Sequence, residues 1–329
     1  MTRAAMVSSL AHDAIIITGA TGTGKSQLAV EVAEKLGGEI ISADSRQVYR
    51  YMDIGTAKPS VSDRRRVPHY GIDHLDPDES YSAGRFARDA WRWVREIQGR
   101  GRVPLIVGGT GFFVGALLTP LGPEPDLDPE RRARLRRYLT GRSPAELQAW
   151  LARLDPPRAE QLRDEGGTQR LARSLEVVLL SGRRHSWWLD QPPETAALPA
   201  AVCCLQVPRD ELYRRIDTRF EIMMTAGMLD EVRQLLDRFP ADSPGLKSVG
   251  YVELGAHVRS EMSLEKAVEG AKRSTRRFAR RQLTWFKHQL PEHTNWLDAA
   301  RSRDALIEEI CRMWDERGGS GLAQRRGRR

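Results

Sequence analysis

The chain has 329 residues, of which 40% are hydrophobic and 29% are charged, and its formal net charge at pH 7 is +8. A chain of this length can bury a full core and is expected to form two units. Its apolar runs are too short to cross a bilayer. Cys203, Cys204 and Cys311 fit neither a disulfide framework nor a zinc site. We therefore expect a cytoplasmic protein without a membrane segment, and the excess of positive charge predicts a polyanionic partner, nucleic acid first.

The N-terminal region combines a short leader with a phosphate-binding loop. Residues 1–12 have no sustained apolar run, so we interpret them as a flexible leader and not as a secretion signal. The β-type run Ala14–Thr18 precedes Gly-Ala-Thr-Gly-Thr-Gly-Lys-Ser at Gly19–Ser26, and a helical pattern follows. Glycines let backbone N–H groups converge on a phosphate, Lys25 adds a positive charge, and the Ser26 hydroxyl can hold Mg²⁺. The loop predicts a di- or triphosphate ligand but does not select ATP.

Three more β-type runs, Glu39–Ala43, Val103–Val107 and Ala201–Val207, alternate with helical patterns. This alternation predicts an α/β fold, a parallel P-loop sheet flanked by helices. Ligands of such sheets bind at the carboxyl ends of the strands.

Two segments at that edge are candidates for chemistry. Asp44 could assist Mg²⁺ through water or accept a proton from a nucleophile; taken alone, it fits a helix N-cap better. Gly108-Gly109 stands where many P-loop ATPases have an acidic residue, which counts against an NTPase motor. The two glycines indicate that something bulky approaches the backbone, or else a tight turn.

A proline-rich break at Pro120–Pro129 begins a helical, arginine-rich stretch. We interpret residues 123–185 as an all-helical insertion into a core formed by residues 13–122 and 186–315, followed by a basic disordered tail at 316–329. A long helix is predicted from Ser263 to Gln289, with an apolar stripe, which includes Phe278, facing the core. The basic stripe, defined as Arg273, Arg277, Arg280 and Lys287, then faces outward as a phosphate-contacting surface would.

Eight motifs occur in order along the chain. They lie at 19–26, 44–49, 53–59, 81–86, 108–112, 214–220, 249–251 and 280–286. By their joint occurrence, the chain resembles the tRNA dimethylallyltransferases, also called tRNA isopentenyltransferases, from Ala14 to Trp314. The absence of a Cys/His finger after Trp314 is typical of the bacterial form.

The resemblance implies that the loop holds the diphosphate of dimethylallyl diphosphate and not ATP, with Mg²⁺ as cofactor and Ser26 as its ligand. It implies transfer of the dimethylallyl group to the exocyclic amine of the adenosine 3′-adjacent to the anticodon, in tRNAs reading codons that begin with U. Asp44 matches the family's base, and Arg219 and Lys25 would neutralise the leaving diphosphate. The implied diphosphate-binding residues are Gly19, Ala20, Thr21, Gly22, Thr23, Gly24, Lys25 and Ser26.

The resemblance also implies contacts with the tRNA anticodon stem-loop, whose adenosine must leave its stack to react. We expect a monomer. The implied tRNA-binding residues are Asp44, Ser45, Arg46, Gln47, Thr110, Arg132, Gln169, Arg170, Leu171, Ala172, Arg173, Lys247, Ser248, Val249, Gly250, Tyr251, Val252, Arg280, Arg281, Gln282, Leu283, Thr284, Trp285, Phe286 and Lys287.

Three departures from the family pattern are visible. The run at 163–170 lacks the usual His-x-Asn-Asp-Pro-Gln-Arg, Phe113 replaces a tyrosine, and residues 276–282 carry arginines at changed positions. Three other functions compete with the leading one. A small-molecule kinase would also use the loop, and a prenyltransferase acting on AMP would share the chemistry, but the positive charge favours a macromolecular acceptor. A non-enzymatic RNA-binding module leaves the loop and Asp44 without a role.

Overall fold

The structure, a computed structural model, describes residues 12–163 and 167–317. Residues 1–11 of the predicted leader and 318–329 of the predicted tail lie outside the described part. The strands are β1 (Ala14–Gly19), β2 (Gly38–Ser42), β3 (His69–Tyr70), β4 (Val103–Gly108), β5 (Ala200–Gln206) and β6 (Asn295–Asp298). They form one parallel sheet in the order β3-β2-β4-β1-β5-β6, which confirms the predicted parallel sheet.

The central strands are buried on both faces, which explains their unbroken apolar sequences. In β1, Ile16 packs into the cluster that holds Phe86, whereas Ile15 and Ile17 pack into the cluster that holds Leu28. Helices therefore cover the sheet on both sides, as in doubly wound folds. The strands β3 and β6 were not predicted, because each is a short edge strand without an apolar run.

Of the described residues, 12–119 and 197–317 form the first of two compact units, which contains the sheet. Its helices are α1 (Lys25–Leu36), α2 (Val61–Arg66), α3 (Ala83–Gly99), α4 (Gly111–Leu118), α10 (Arg209–Thr225), α11 (Met228–Arg238), α12 (Tyr251–Val258), α13 (Leu264–Gln289) and α14 (Arg303–Arg317). Helix α13 begins after Ser263, whose side chain accepts a hydrogen bond from the Lys266 N–H, so the predicted long helix is confirmed. Helix α14 extends to Arg317, so residues 316 and 317 belong to a helix and not to the predicted tail.

The second unit, Pro120–Ala196, is helical and has its own core around Leu139, Leu147 and Leu175. It extends beyond the predicted 123–185 because the buried carboxylate of Asp155 accepts hydrogen bonds from the Ser186 N–H and hydroxyl, at 2.8 and 2.6 Å. Its helices are α5 (Pro129–Thr140), α6 (Pro144–Leu154), α7 (Pro156–Gln161), α8 (Thr168–Ser181) and α9 (His185–Leu189). Across both described ranges, no helix combines the length and apolar character needed to span a membrane.

Candidate active site

The loop after β1 has the backbone geometry of a phosphate cradle. Gly22 and Gly24 have φ values of 86°, in the left-handed region that favours glycine. Gly24 is the N-cap of α1, so the first turn of this helix directs free N–H groups toward the loop. The Thr23 hydroxyl donates to the Ala20 carbonyl at 2.9 Å and braces the turn. This arrangement suits an anion at the start of α1.

A cavity lies at the carboxyl edge of the sheet, where β1, β2 and β4 end. The structure brings Lys25, Ser26, Asp44, Gly108 and Arg219 together in its lining. Lys25 and Ser26 follow β1, and Asp44 follows β2. Gly108 is the last residue of β4, and Arg219 comes from α10. The ends of the three strands therefore share one cavity, and folding brings Arg219, which is distant in the sequence, into its lining.

Lys25, Arg219 and Asp44 influence one another electrostatically within this cavity. Burial lowers the pKa of Lys25 to about 8; Asp44 acts in the opposite direction, and Arg219 lowers the pKa further. Burial also lowers the pKa of Arg219, and this effect is opposed by Asp44. An entering anion would relieve both desolvation costs, so the cavity is suited to a polyphosphate.

Asp44 lies in a turn, and no helix begins there. Its Oδ1 atom accepts a hydrogen bond from the Arg46 N–H at 2.9 Å, which fixes the carboxylate against its own backbone. The helix N-cap interpretation is therefore wrong. The carboxylate lines the cavity and is available to a bound molecule.

Thr110 joins the loop after β4 to the loop after β2. Its hydroxyl oxygen accepts from the Ser45 N–H at 2.9 Å and lies 3.2 Å from the Ser45 hydroxyl. A Cβ atom at Gly108 would stand 2.1 Å from the Ala43 carbonyl oxygen. The bulky group beside Gly108 is thus the backbone of Ala43. This close packing of the two loops lets Thr110 reach Ser45.

Gln282 of α13 clamps the phosphate loop. Its Oε1 atom accepts from the Thr21 N–H at 2.9 Å, and its Nε2 atom donates to the Gly109 carbonyl at 2.7 Å. The side chain is buried, with 8% exposed. A Cβ at Gly109 would come within 2.6 Å of this amide, which accounts for the second glycine. The resemblance assigns Gln282 to tRNA binding, whereas its amide is engaged inside the protein.

Apolar side chains line the cavity beyond the charged groups. Phe220 and Met223 come from α10, Met228 from α11 and Phe278 from α13. Phe278 was predicted to lie in the core stripe; it is only partly buried and faces the cavity. The cavity therefore offers a polar end for an anion and an apolar section for a hydrocarbon group.

The metal-binding capacity of the cavity rests on few protein ligands. No cluster of three or more His, Cys, Asp or Glu side chains suited to a metal ion occurs among the described residues. Ser26 is partly exposed at the start of α1 and lines the cavity with Asp44. This donor set fits Mg²⁺ only as an ion carried largely by phosphate oxygens and water, with Ser26 as a protein ligand.

The remaining residues assigned to tRNA by the resemblance divide by exposure. The buried members supply packing, and their side chains are not on the surface of the free chain. The exposed members are Gln169, Arg170, Lys247, Val252, Arg280, Arg281, Thr284 and Lys287, and the buried ones are Gln47, Leu171, Ser248, Gly250, Tyr251, Gln282 and Phe286.

The basic residues of α13 fall into two groups. Arg273, Arg277 and Arg280 lie at the surface, fully or partly exposed, as predicted for the basic stripe. Arg276, in contrast, is paired with Asp217 at 2.6 Å, and Lys272 is paired with Glu221 at 2.9 Å, so these two cations tie α13 to α10.

In the helical unit, the buried carboxylate of Glu176 organises three arginines. Arg132, Arg136 and Arg173 approach it to 3.0, 2.8 and 3.6 Å. The structure thus gives Arg132 and Arg173 an internal partner that sequence reasoning missed, since Glu176 looks like an ordinary helical residue. The arginine side chains stay partly exposed.

Comparison with known proteins extends over both units. A family model described as IPP transferase matches residues 47–289, and one described as isopentenyl transferase matches residues 12–69. The tRNA dimethylallyltransferase of Pelotomaculum thermopropionicum is 41% identical over 304 residues, 91% of this chain and 95% of that protein. The solved tRNA delta(2)-isopentenylpyrophosphate transferase of Staphylococcus epidermidis has a TM-score of 0.66 at 34% identity, covering 92% of this chain and 99% of that one. A eukaryotic dimethylallyltransferase solved acting on tRNA has a TM-score of 0.73 at 27% identity, with 95% and 77% covered.

Proposed function

The chain belongs to the IPP transferase family, that of the tRNA dimethylallyltransferases, and on this premise we propose that it transfers the dimethylallyl group of dimethylallyl diphosphate to tRNA. The acceptor is the exocyclic amine of the adenosine 3′-adjacent to the anticodon, in tRNAs that read codons beginning with U. Diphosphate is the second product. The enzyme acts as a monomer in the cytoplasm.

One observation supports this reaction above others: the cavity joins a phosphate cradle to a carboxylate and an apolar section. Lys25 and Arg219 provide positive charge at one end, and Phe220 and Met223 provide hydrocarbon surface. A prenyl diphosphate has the same two parts. Asp44 lies among these groups, where an acceptor amine would meet the reacting carbon.

The proposed step breaks the bond between the allylic carbon and the diphosphate oxygen, and the bonding pair leaves with diphosphate. Charge therefore grows on the leaving group, and Lys25 and Arg219 stabilise it. The amine nitrogen forms the new bond to carbon with its lone pair. Its proton passes to Asp44, so the product is a neutral secondary amine.

Mg²⁺ is the proposed cofactor, with Ser26 as its protein ligand. When bound, it would neutralise part of the diphosphate charge. The accessible hydroxyl of Ser26 at the start of α1 supports this assignment, because diphosphate oxygens would complete the coordination.

The acceptor assignment rests on the exposed cations. Arg277 and Arg280 of the basic stripe can contact phosphates of an anticodon stem-loop, and Lys247 lies at the cavity lining. The adenosine would have to leave its stack to enter the cavity.

The test offers labelled dimethylallyl diphosphate with tRNA or with AMP, and labelled ATP in parallel reactions. We expect label from the prenyl donor to appear in tRNA. Label in AMP but not in tRNA would make AMP the acceptor. Transfer of phosphate from ATP would make the protein a kinase and not a prenyltransferase.

A further inference from the structure

The carboxylate of Glu231, on α11, collects four hydrogen-bond donors from two distant segments. Its Oε2 atom accepts from the backbone N–H groups of Asp53 and Ile54, at 2.8 and 2.7 Å. Its Oε1 atom accepts from the Gly55 N–H at 3.1 Å and from the Tyr251 hydroxyl at 2.6 Å. Both carboxylate oxygens are thus used as acceptors, and hydrogen bonds to a carboxylate are stronger than those to a neutral acceptor.

Two of these donors belong to the wall of the active-site cavity. Gly55 and Tyr251 both line it, together with Met228 from the same helix as Glu231. The packing is close: a Cβ at Gly55 would stand 2.6 Å from the Tyr251 hydroxyl and 2.7 Å from the Met228 methyl. The position of this wall is therefore set by contacts behind it, and Glu231 is the polar centre of those contacts.

The other end of the same segment is fastened separately. The ammonium group of Lys58 is 2.6 Å from the Tyr49 carbonyl and from the carboxylates of Asp53 and Asp73, and its side chain is 1% exposed. Residues 53–58 thus run between two polar anchors. Of these two anchors, it is Glu231 that also holds the Tyr251 ring.

We propose that Glu231 is a positioning residue for the transfer step. It fixes the Asp53–Gly55 backbone and the Tyr251 ring, so that this wall holds the reacting carbon and the acceptor nitrogen in line. The inference rests on the proposed function. Glu231 itself touches neither substrate, and its loss should act on turnover more than on substrate binding.

The substitution Glu231→Gln isolates this role. A glutamine has one acceptor oxygen, and its amide nitrogen is a donor. With the amide nitrogen toward residues 53 and 54, two backbone N–H groups face a donor and lose their partner. With it toward Gly55 and Tyr251, the Gly55 N–H loses its partner, and the Tyr251 hydroxyl must turn to accept a hydrogen bond. A misplacement of about 1 Å in a reacting geometry can cost about 100-fold in rate, so we expect kcat to fall by about 10- to 100-fold. The affinities for diphosphate and for tRNA should change less than about threefold.

A control separates positioning from lost stability. Val232→Ala removes buried methyl groups next to Glu231 but leaves the carboxylate and its donors in place. If Val232→Ala lowers the melting temperature as much as Glu231→Gln does, the Val232→Ala enzyme should still keep its kcat. Equal loss of kcat in both variants would overturn the proposal.

A second variant alters the cavity wall directly and leaves Glu231 in place. Gly55→Ala must displace Tyr251 or Met228 because there is no room for the methyl group. Like Glu231→Gln, this variant should have a lowered kcat and an unchanged affinity for tRNA. Normal turnover in Gly55→Ala would contradict the requirement for this wall.

Hydrogen exchange tests the anchor independently of catalysis. Those amides of Asp53, Ile54 and Gly55 that face the glutamine nitrogen should exchange at least about tenfold faster in Glu231→Gln than in the unaltered protein, and unchanged exchange of all three would refute the anchor. If the unaltered protein transferred no prenyl group, the proposed function would fail together with the catalytic role of Glu231. Exchange would still report on the anchor, so the two failures are distinguishable.

Discussion

The side chain of Gln282 accepts a hydrogen bond from the Thr21 N–H at 2.9 Å, across 261 positions of the chain. The same amide donates to the Gly109 carbonyl at 2.7 Å. One residue of α13 therefore ties the phosphate loop to the loop after β4. The long helix stabilises the cavity as well as displaying cations on its outer face.

Replacing Gln282 with Ala should loosen the phosphate loop. The Thr21 N–H and the Gly109 carbonyl each lose a partner, at about 1–3 kcal/mol for each group left unsatisfied. We expect the KM for the prenyl donor to rise by about tenfold and the melting temperature to fall, with tRNA affinity unchanged. Titrating tRNA into the variant is the decisive measurement, because a direct contact of Gln282 with tRNA would instead weaken that affinity.

Asp44→Asn should abolish most of the transfer. The amide oxygen can still accept from the Arg46 N–H, so the turn should persist, but the side chain no longer takes up the amine proton. Loss of a general base costs about 100- to 10,000-fold in rate. Single-turnover kinetics with saturating tRNA would measure this, and turnover within about threefold of the unaltered enzyme would remove Asp44 from the mechanism.

The pH dependence of kcat/KM for the prenyl donor should reflect the protonation of Lys25. Burial lowers its pKa to about 8, so the free enzyme loses this positive charge as pH rises through 8. Bound diphosphate favours the charged form, so kcat/KM for the donor should fall above pH 8 while kcat changes less. The Lys25→Arg variant keeps its positive charge at these pH values, so its plot of kcat/KM against pH should show no inflection near pH 8. An inflection at the same pH in that variant would assign the effect to another group.

The exposed arginines of α13 should control the salt dependence of tRNA binding. Removing one cation that binds a phosphate should flatten the log–log slope by about one unit. The double variant of Arg277 and Arg280 to Ala should therefore bind tRNA more weakly and with a smaller slope, while donor affinity stays unchanged. Arg276→Ala is the matched control, since Arg276 is paired with Asp217. It should lower the melting temperature and leave the slope unchanged; the reverse pattern would make Arg277 and Arg280 structural residues.

Local sequence signals predicted the parts of the site that depend on local geometry. The phosphate loop follows from the glycines between β1 and α1, and the placement of Asp44 follows from the rule that parallel strands end at one edge. The long helix followed from its periodicity and its Ser263 cap.

The remaining features depend on contacts between distant segments. Gln282 and Glu231 look like ordinary polar residues of amphipathic helices, and only folding reveals the backbone groups they hold. The apolar stripe of α13 was assigned wholly to the core, although Phe278 faces the cavity. The helical unit extends past residue 185 because Asp155 binds Ser186, a pairing that no local pattern encodes.

The identity of the modified nucleoside is the most direct test of the proposed transfer to tRNA. A tRNA that reads a codon beginning with U would be incubated with dimethylallyl diphosphate, digested to nucleosides and analysed by mass spectrometry. We expect one dimethylallyl group on the adenosine 3′-adjacent to the anticodon, and none when that adenosine is replaced by guanosine. A prenyl group on any other nucleoside, or a tRNA left unmodified while AMP is prenylated, would refute the proposed function.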